Sequence, residues 1–182
     1  GRSNLEALAC LFDIGKVKAF DIFPEVATKY AAEMGEMLEI DIEVVDSPEK
    51  AVRGIDMVVT AGPILKHPSP AIEAGWLAPG AFASPVDFDS YWQGAALREA
   101  DKLATDDRGQ MEYYRSVGYF QETPEAYADL GEIAAGKKPG RQTSDERCIS
   151  INLGLALDDM ATAILIYRRA RELGIGTCLL YT

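Results

Sequence analysis

The stretch that decides the fold class opens the chain: Gly1–Phe23, GRSNLEALACLFDIGKVKAFDIF. After the first glycine, apolar residues recur at helical spacing, and a short alternating strand, Lys16–Ile22, then carries an acid, Asp21. In a dinucleotide-binding βαβ unit, a glycine turn opens a helix that holds the pyrophosphate, and an acid about 20 residues later holds the ribose hydroxyls. The spacing from Gly1 to Asp21 predicts the second half of such a unit. Because its first strand and earlier glycines are absent, we interpret the sequence as truncated inside this fingerprint; the alternative is that Asp21 only forms a turn.

Composition and charge narrow the class of protein. The 182 residues suffice for one domain, and 48% hydrophobic with 26% charged residues is ordinary for a globular protein. The formal net charge of −11 argues against a nucleic-acid or anionic-membrane partner. No apolar run approaches the roughly 18 residues of a membrane span. The three cysteines lack metal-site or disulfide spacing and there is one histidine, so we expect no metal site and a reducing, cytoplasmic location.

The first third of the chain alternates predicted helices and strands. A helix begins at Pro24 and is expected to end at Gly35, a strand follows at 38–45, a short helix covers 48–52, and a buried strand covers 56–60. This order predicts an α/β fold with a doubly wound, mostly parallel sheet.

The rest of the chain continues this alternation after a long loop. Strands are expected at 80–86, 101–105 and 147–152, and helices at about 92–100, 107–116 and 125–135. The loop itself, residues 61–79, is rich in proline and glycine and follows the carboxyl end of a strand. Because long loops are usually functional or disordered, and ligands of open α/β sheets bind at such ends, the loop is a candidate ligand-binding segment.

The most hydrophobic predicted helix is the last, Leu155–Leu173. Its apolar residues surround the helix axis, which is typical of a helix buried on most sides. They cannot all face one sheet. We therefore expect part of this apolar surface to be exposed in the chain and to contact a further domain and a dimer partner.

Three segments carry a resemblance to a known family: GRSNLEAL at 1–8, DLGEIAAGKKPGR at 129–141 and GLALDDMATAILIYRRAR at 154–171. They resemble the ornithine cyclodeaminase/mu-crystallin family, and the likeness spans residues 1–177. The resemblance implies a Rossmann-type NAD(P)-binding domain over 1–152, incomplete at its N-terminus. It also implies a helix at 153–177 that returns to a substrate and dimerisation domain missing from the sequence.

The resemblance implies an enzyme that acts as a homodimer. Such an enzyme transfers hydride between NAD and the α-carbon of a small L-amino or imino acid, as in the conversion of ornithine to proline plus ammonia or in the oxidation of alanine. The same family supplies the alternatives, a mu-crystallin-like protein that binds a nicotinamide cofactor or a ketimine reductase.

Asp89 is the catalytic candidate that the resemblance implies. Val86–Asp89 aligns with the family's cofactor-contacting turn, whose last residue is the acid/base aspartate. Amino-acid oxidation needs a base that takes the amine proton as hydride leaves the α-carbon. Two alternatives stay open: Asp89 as a helix N-cap, or Asp87 in its place.

The remaining site residues also follow from the resemblance. A carboxylate at Asp21 accepts both ribose hydroxyls and repels a 2′-phosphate, which favours NAD over NADP. Gln93 stands where the family often has a cofactor-contacting lysine, Asn152 replaces a small hydroxyl residue near the nicotinamide carboxamide, and Leu153 is expected to contact the substrate. These departures put ornithine itself in doubt as the substrate. The expected cofactor contacts are Gly1, Arg2, Asp21, Thr60, Val86, Asp87, Phe88, Gln93 and Asn152, and for Thr60 a plain strand residue remains the alternative.

The last five residues, CLLYT at 178–182, fit nothing before them. One reading frame of a common transposase sequencing adapter encodes this peptide, so we interpret it as read-through from a sequencing fragment. The alternative is a short C-terminal strand.

Overall fold

The computed structural model describes residues 1–177 and 179, so all but one residue of the 178–182 segment lie outside the described part. The strands are β1 (Val17–Ala19), β2 (Ile42–Val44), β3 (Met57–Thr60), β4 (Phe82–Pro85), β5 (Lys102–Thr105), β6 (Ala128–Asp129) and β7 (Cys148–Ile151). The helices are α1 (Arg2–Ala9), α2 (Pro24–Leu38), α3 (Pro48–Val52), α4 (Gly94–Leu97), α5 (Arg108–Ser116), α6 (Leu130–Ala134) and α7 (Ala156–Leu173). Within this alternation α4 is shorter than the helix predicted for about 92–100.

The strands form two parallel sheets. Five of them lie in the order β3-β4-β7-β5-β6, and β1 pairs with β2 in a second sheet. Every ladder among the described strands is parallel. The predicted α/β class with a parallel sheet is therefore confirmed. Because β7 lies between β4 and β5, the residues that follow it emerge at the centre of the sheet edge.

The hydrophobic core lies around the five-stranded sheet. Its largest enclosed apolar side chains are Trp92, Leu97, Phe120, Ile149 and Ile151. Outside this cluster, α1 buries one side chain, Leu5, and α2 buries two. The packed core therefore supports the loops at the ends of β3, β4, β5 and β7.

Gly35 does not end the second helix, contrary to the sequence-based expectation. Helix α2 continues to Leu38, and Glu39 in a left-handed conformation (φ 57°) follows it. A single glycine costs a helix only about 1 kcal/mol. That cost is too small to stop a helix anchored by buried side chains such as Met34. As a consequence, the strand predicted at 38–45 shortens to β2.

Segment 125–135 was predicted as one helix, and this prediction is wrong. The N–H of Tyr127 donates to the carbonyl of Leu103 at 2.7 Å, and the next residues form β6 beside β5. Helix α6 begins only after Asp129, whose N–H donates to the side chain of Glu132 at 3.1 Å. A strand of two residues is too short to show an alternating pattern, so helical periodicity dominated the prediction.

Helix α7 covers the predicted range but is not buried. None of its residues is buried, and Leu157, Leu165, Ile166 and Tyr167 are each more than 60% exposed. The exposed apolar surface expected from its sequence is present. The burial on most sides that is typical of such a sequence does not occur within this chain.

Candidate functional site

The carboxyl ends of four strands meet at one edge of the five-stranded sheet. The register pairs Thr60 of β3 with Pro85 of β4, and Thr105 of β5 with Ile151 of β7. Ligands of open α/β sheets bind at this edge. We call the residues at or just after these ends the carboxyl-edge site: Thr60, Gly62, residues 86–92, Asp106 and residues 152–154.

The turn after β4 is built around Phe88, whose backbone is left-handed (φ 62°). This conformation is uncommon for a bulky residue and persists only where the surroundings hold it. The ring of Phe88 is buried, with its centroid 4.9–5.7 Å from those of Tyr114, Tyr119 and Phe120. Because Phe88 separates two aspartates, Asp87 and Asp89 reach different partners.

Asp87 is fully enclosed, and both of its carboxylate oxygens accept hydrogen bonds. Oδ1 accepts the hydroxyl of Thr60 at 2.7 Å, and Oδ2 accepts the N–H of Gly62 at 2.9 Å. Burial raises the pKa of Asp87, and the negative charge of Asp89 adds to the rise, whereas the two hydrogen bonds oppose it. Asp87 therefore fastens the turn after β4 to the residues that follow β3.

Two further residues of the turn bond to the 61–79 loop and to the end of β3, respectively. Ser90 Oγ donates to the carbonyl of Asp87 at 2.5 Å and accepts the N–H of Leu65 at 2.9 Å. The indole N–H of the buried Trp92 donates to Thr60 Oγ1 at 3.1 Å. The predicted ligand-binding loop is therefore fixed to the carboxyl-edge site at its start.

Asp89 is 2% exposed and points to the other side of the turn. Its Oδ2 accepts the hydroxyl of Thr123 at 2.9 Å. Its Oδ1 is shielded from solvent and has no hydrogen-bond partner among the described residues. Burial raises the pKa of Asp89, while the Thr123 hydrogen bond and the positive charge of Arg115 lower it. One acceptor oxygen of the Asp89 carboxylate is therefore not engaged by the described residues.

Asn152 and Leu153 follow β7 beside this turn. Asn152 Nδ2 donates to Ser84 Oγ at 2.9 Å, and Asn152 Oδ1 accepts the hydroxyl of Ser150 at 2.9 Å. The N–H of Leu153 donates to Asp106 Oδ2 at 2.8 Å, and its side chain packs against the core. The structure thus orients the amide of Asn152 from two strands, and it places Leu153 at the rim of the core.

Asp21 follows β1, in the smaller sheet. It is partly exposed, and its Oδ1 accepts the N–H of Phe23 at 2.9 Å, so it does form the turn before α2. The pKa of Tyr91 is raised, chiefly by burial and further by the charges of Asp87 and Asp21. The charge of Asp21 therefore acts on the pKa of one residue of the carboxyl-edge site.

The other expected cofactor contacts take mainly backbone or peripheral positions. Gly1 is the N-cap of α1, and Arg2 Nε donates to Glu33 of α2 at 3.1 Å. The N–H of Val86 donates to the Thr60 carbonyl at 3.0 Å, and Gln93 is the N-cap of α4. The geometry brings Thr60 and residues 86–89 together with Asn152, whereas Arg2 is engaged with α2.

Three residues of this region were not identified from the sequence. Gly62 supplies a hydrogen bond to Asp87, and a Cβ there would lie 2.5 Å from the Tyr91 ring. Asp106 accepts the N–H groups of Leu153 and Gly154. Asp106 directly follows one predicted strand, and Gly62 lies two residues after another, so the positions of these two residues were a usable signal. Thr123 lies 34 residues from Asp89 in an irregular segment, and no local pattern marks it.

Two further features are absent from the described residues. In residues 1–177 and 179, no group of three or more His, Cys, Asp or Glu side chains could hold a metal ion. No helix in the same part of the chain is long and apolar enough to cross a membrane.

Comparison with known proteins identifies the family. The sequence profile of the ornithine cyclodeaminase/mu-crystallin family matches residues 1–174. The chain belongs to this family. Alanine dehydrogenase of Archaeoglobus fulgidus is 28% identical over 96% of this chain and 55% of its own length. The resemblance drawn from the three sequence segments is therefore confirmed.

Two solved structures of this kind share the fold. The Delta(1)-pyrroline-2-carboxylate reductase of Thermococcus litoralis, in complex with NADH and L-proline, has a TM-score of 0.82 at 29% identity, over 98% of this chain and 57% of that one. An archaeal alanine dehydrogenase dimer with bound NAD has a TM-score of 0.80 at 27% identity, over the same shares. The chain spans about half the length of the curated relatives it matches.

Proposed function

We propose that the full-length protein carrying this chain binds NAD at the carboxyl-edge site and transfers hydride between NAD and the α-carbon of a small L-amino or imino acid. One observation carries the proposal. Asp87 is bonded through both oxygens, whereas Asp89 keeps Oδ1 without a partner in the described chain. Membership of a family whose named relatives include amino- and imino-acid oxidoreductases supports it.

The residues at the strand ends fit a dinucleotide. Asp21 uses one carboxylate oxygen for its own turn, which leaves the other for the ribose hydroxyls. No arginine follows at Ile22 or Phe23 to accept a 2′-phosphate, which supports NAD over NADP. Asn152, oriented by Ser84 and Ser150, suits the nicotinamide carboxamide because both groups are amides.

Asp89 is the proposed proton acceptor. When bound, NAD supplies the acceptor for the hydride that leaves the α-carbon. Oδ1 of Asp89 takes one proton from the substrate's α-ammonium group, so that the nitrogen lone pair can form the C=N bond. Burial raises the pKa of Asp89 and so brings this pKa closer to neutral pH, where a general base works best. Because Oδ1 is shielded from solvent here, a neighbouring side chain must move when the substrate enters.

The proposal extends to the substrate only as a class. Conversion of ornithine to proline plus ammonia and oxidation of alanine both use the same step at the α-carbon. Gln93 in place of a lysine and Leu153 at the rim of the core argue against ornithine, but they do not select alanine.

The domain boundaries are proposed in the same way. Residues 1–152 form the cofactor domain. Helix α7 lies within the returning segment 153–177, and its exposed apolar side chains pack against the second domain and a partner subunit of a homodimer.

A second candidate function has one observation in its favour. The near-complete enclosure of Asp89 suits a mu-crystallin-like protein that binds the cofactor without turnover, because such a protein needs no accessible base. A ketimine reductase would instead use the same aspartate in the direction of reduction.

Two products, NADH and ammonia, distinguish these candidate functions. Full-length protein is incubated with NAD and a panel of L-amino acids, and NADH absorbance is recorded together with ammonia release. Steady NADH formation supports a dehydrogenase, and ammonia from ornithine without net NADH supports a cyclodeaminase. NADH oxidation with cyclic imino acids supports a reductase. Binding of NADH by fluorescence without any of these reactions would refute the enzymatic proposal.

A further inference from the structure

Thr123 is the one residue whose side chain bonds Asp89 in the described structure. Its hydroxyl donates to Asp89 Oδ2 at 2.9 Å, and both side chains are enclosed. A hydroxyl donor on one oxygen fixes the rotation of the carboxylate, so the other oxygen, Oδ1, keeps a defined direction. No strand or helix supplies this contact, because Thr123 lies between α5 and β6.

The segment that carries Thr123, residues 118–124, is nevertheless held firmly. Phe120 is fully buried, and its ring lies 4.9 Å from that of Phe88, the residue before Asp89. The carbonyl of Glu122 accepts a hydrogen bond from Arg98 Nη1 at 3.1 Å. The segment and the acidic turn are therefore packed against each other on either side of the Thr123–Asp89 bond.

Arg115, in the last turn of α5, holds the same segment from its other end. Nη1 donates to the carbonyl of Thr123 at 3.1 Å, and Nη2 reaches the carbonyl of Pro124 at 3.4 Å. A planar guanidinium can bridge two successive carbonyls in this way, whereas a lysine ammonium is a single point charge. Arg115 thus fixes the backbone of the residue that fixes Asp89.

We propose that Thr123, held by Arg115, is the positioning residue that orients Asp89 for proton transfer. This inference rests on the proposed function of Asp89. Thr123 does not touch the reacting atoms. It donates to Oδ2, so that Oδ1 faces the substrate amine in one rotamer, and its hydrogen bond favours the ionised form that can accept a proton.

The charged groups around Asp89 set the sign of the expected pH effect. The positive charge of Arg115 from α5 lowers the pKa of Asp89. The negative charge of Asp89 in turn raises the pKa of Asp87 in the same turn. Removal of the Thr123 hydroxyl takes away a stabilising donor. In the pH profile of kcat, the rise in kcat that accompanies ionisation of Asp89 must then move to higher pH.

The experiment uses the full-length protein and the Thr123→Val variant, which keeps the side-chain shape and removes the hydroxyl. We expect kcat near neutral pH to fall on the order of tenfold, the size of one hydrogen bond to a charged group. The rise in kcat should shift to higher pH, and the Kd for NADH should stay within twofold. Thr123→Ser should restore both kcat and the wild-type pH profile. Thr28→Val, at an exposed helical threonine bonded to the Pro24 carbonyl, is the matched control and should change neither.

Asp89→Asn, measured in parallel, separates the two levels of the argument. If Asp89→Asn is inactive while Thr123→Val keeps wild-type kcat and pH profile, the positioning role is wrong and the proposed function stands. If Asp89→Asn turns over like the wild type, the proposed role of Asp89 itself fails. If circular dichroism shows Thr123→Val to be unfolded, Arg115→Lys is used instead. It keeps the charge but loses the bridge, so an unchanged kcat in that variant contradicts the proposal.

Discussion

The turn after β4 and helix α7 depart from the usual distribution of residues in opposite directions. The turn buries two carboxylates, Asp87 and Asp89, together with Ser90. Helix α7 exposes the large apolar side chains of Leu157 and Leu165 and buries nothing. Buried charge and exposed apolar surface are the two informative exceptions in a folded protein. The buried carboxylates of the turn indicate a chemical role within this chain. The exposed apolar face of α7 is a surface that no other part of the described chain covers.

The two regions also differ in what holds them. The turn is fixed by residues of the same chain, from Thr60 and Gly62 on one side to Thr123 on the other. The α7 face has no such support within the described residues. Substitutions in the two regions should therefore differ in their effects on stability, with the larger losses in and around the turn.

The largest effect is expected for truncation of Phe120, which is fully buried against Phe88. Phe120→Ala should lower the free energy of unfolding by about 3–5 kcal/mol, because it leaves a cavity in the core. The matched change in the other region, Leu157→Ala, should cost less than about 0.5 kcal/mol. Urea denaturation of the two variants beside the unsubstituted chain measures both values. Equal losses would show that α7 is packed as firmly as the turn.

A smaller loss is expected for Asp87→Asn. The amide group can accept only through one atom, so the hydrogen bond from Thr60 or that from Gly62 loses its acceptor. The cost should be about 1–3 kcal/mol, the penalty for an unsatisfied buried group. Asp13→Asn, at an exposed position, is the control and should be nearly neutral. A neutral Asp87→Asn would mean that Asp87 does not fasten the turn to the residues after β3.

The pH dependence of stability sharpens the assignment of Asp89. Burial raises its pKa in the folded chain above the unfolded value, so the ionised group penalises folding above the folded pKa. The penalty is relieved as the pH falls through that pKa toward about 4, where the unfolded group also protonates. The difference in unfolding free energy between the wild type and Asp89→Asn should therefore move in favour of the wild type on acidification. A constant difference between neutral pH and about pH 4 would contradict the raised pKa.

The smallest effect on stability should come from Leu165→Gln on α7. This side chain is 66% exposed, so its loss should change the free energy of unfolding by less than about 0.5 kcal/mol. The same change should reduce self-association of the chain, because it interrupts the apolar face. Light scattering at several concentrations measures this. If the unsubstituted chain is a monodisperse monomer at every concentration, the α7 face is not an interaction surface of the chain alone.

Most of the fold was predictable because its signals are local. Neighbouring residues alone determine the helical spacing around Leu5, the helix start at Pro24 and the strand that ends at Thr60. The errors occurred where a distant contact decides the outcome. Strand β6 exists because Tyr127 bonds to Leu103 of β5, and α2 passes Gly35 because buried side chains such as Met34 anchor the helix.

The candidate site was predictable to a smaller extent. The sequence placed Thr60, Asp87, Asp89 and Asn152 at or just after the carboxyl ends of strands, and parallel strands bring such residues to one edge. It could not reveal that Phe88 turns Asp87 and Asp89 apart. The partner of Asp89 was equally hidden, because the bond from Thr123 depends on how an irregular segment packs.

Turnover of Asp89→Asn in the full-length protein measures whether Asp89 is the proton acceptor. Its kcat is compared with that of the wild type at saturating NAD and amino acid, and the Kd for NADH is measured by fluorescence. If Asp89 is the general base, kcat falls about 10²–10⁴-fold, the usual contribution of such a group, while the Kd stays within about twofold. A kcat that remains near the wild-type value, with the protein folded and NADH bound, would contradict this role of Asp89.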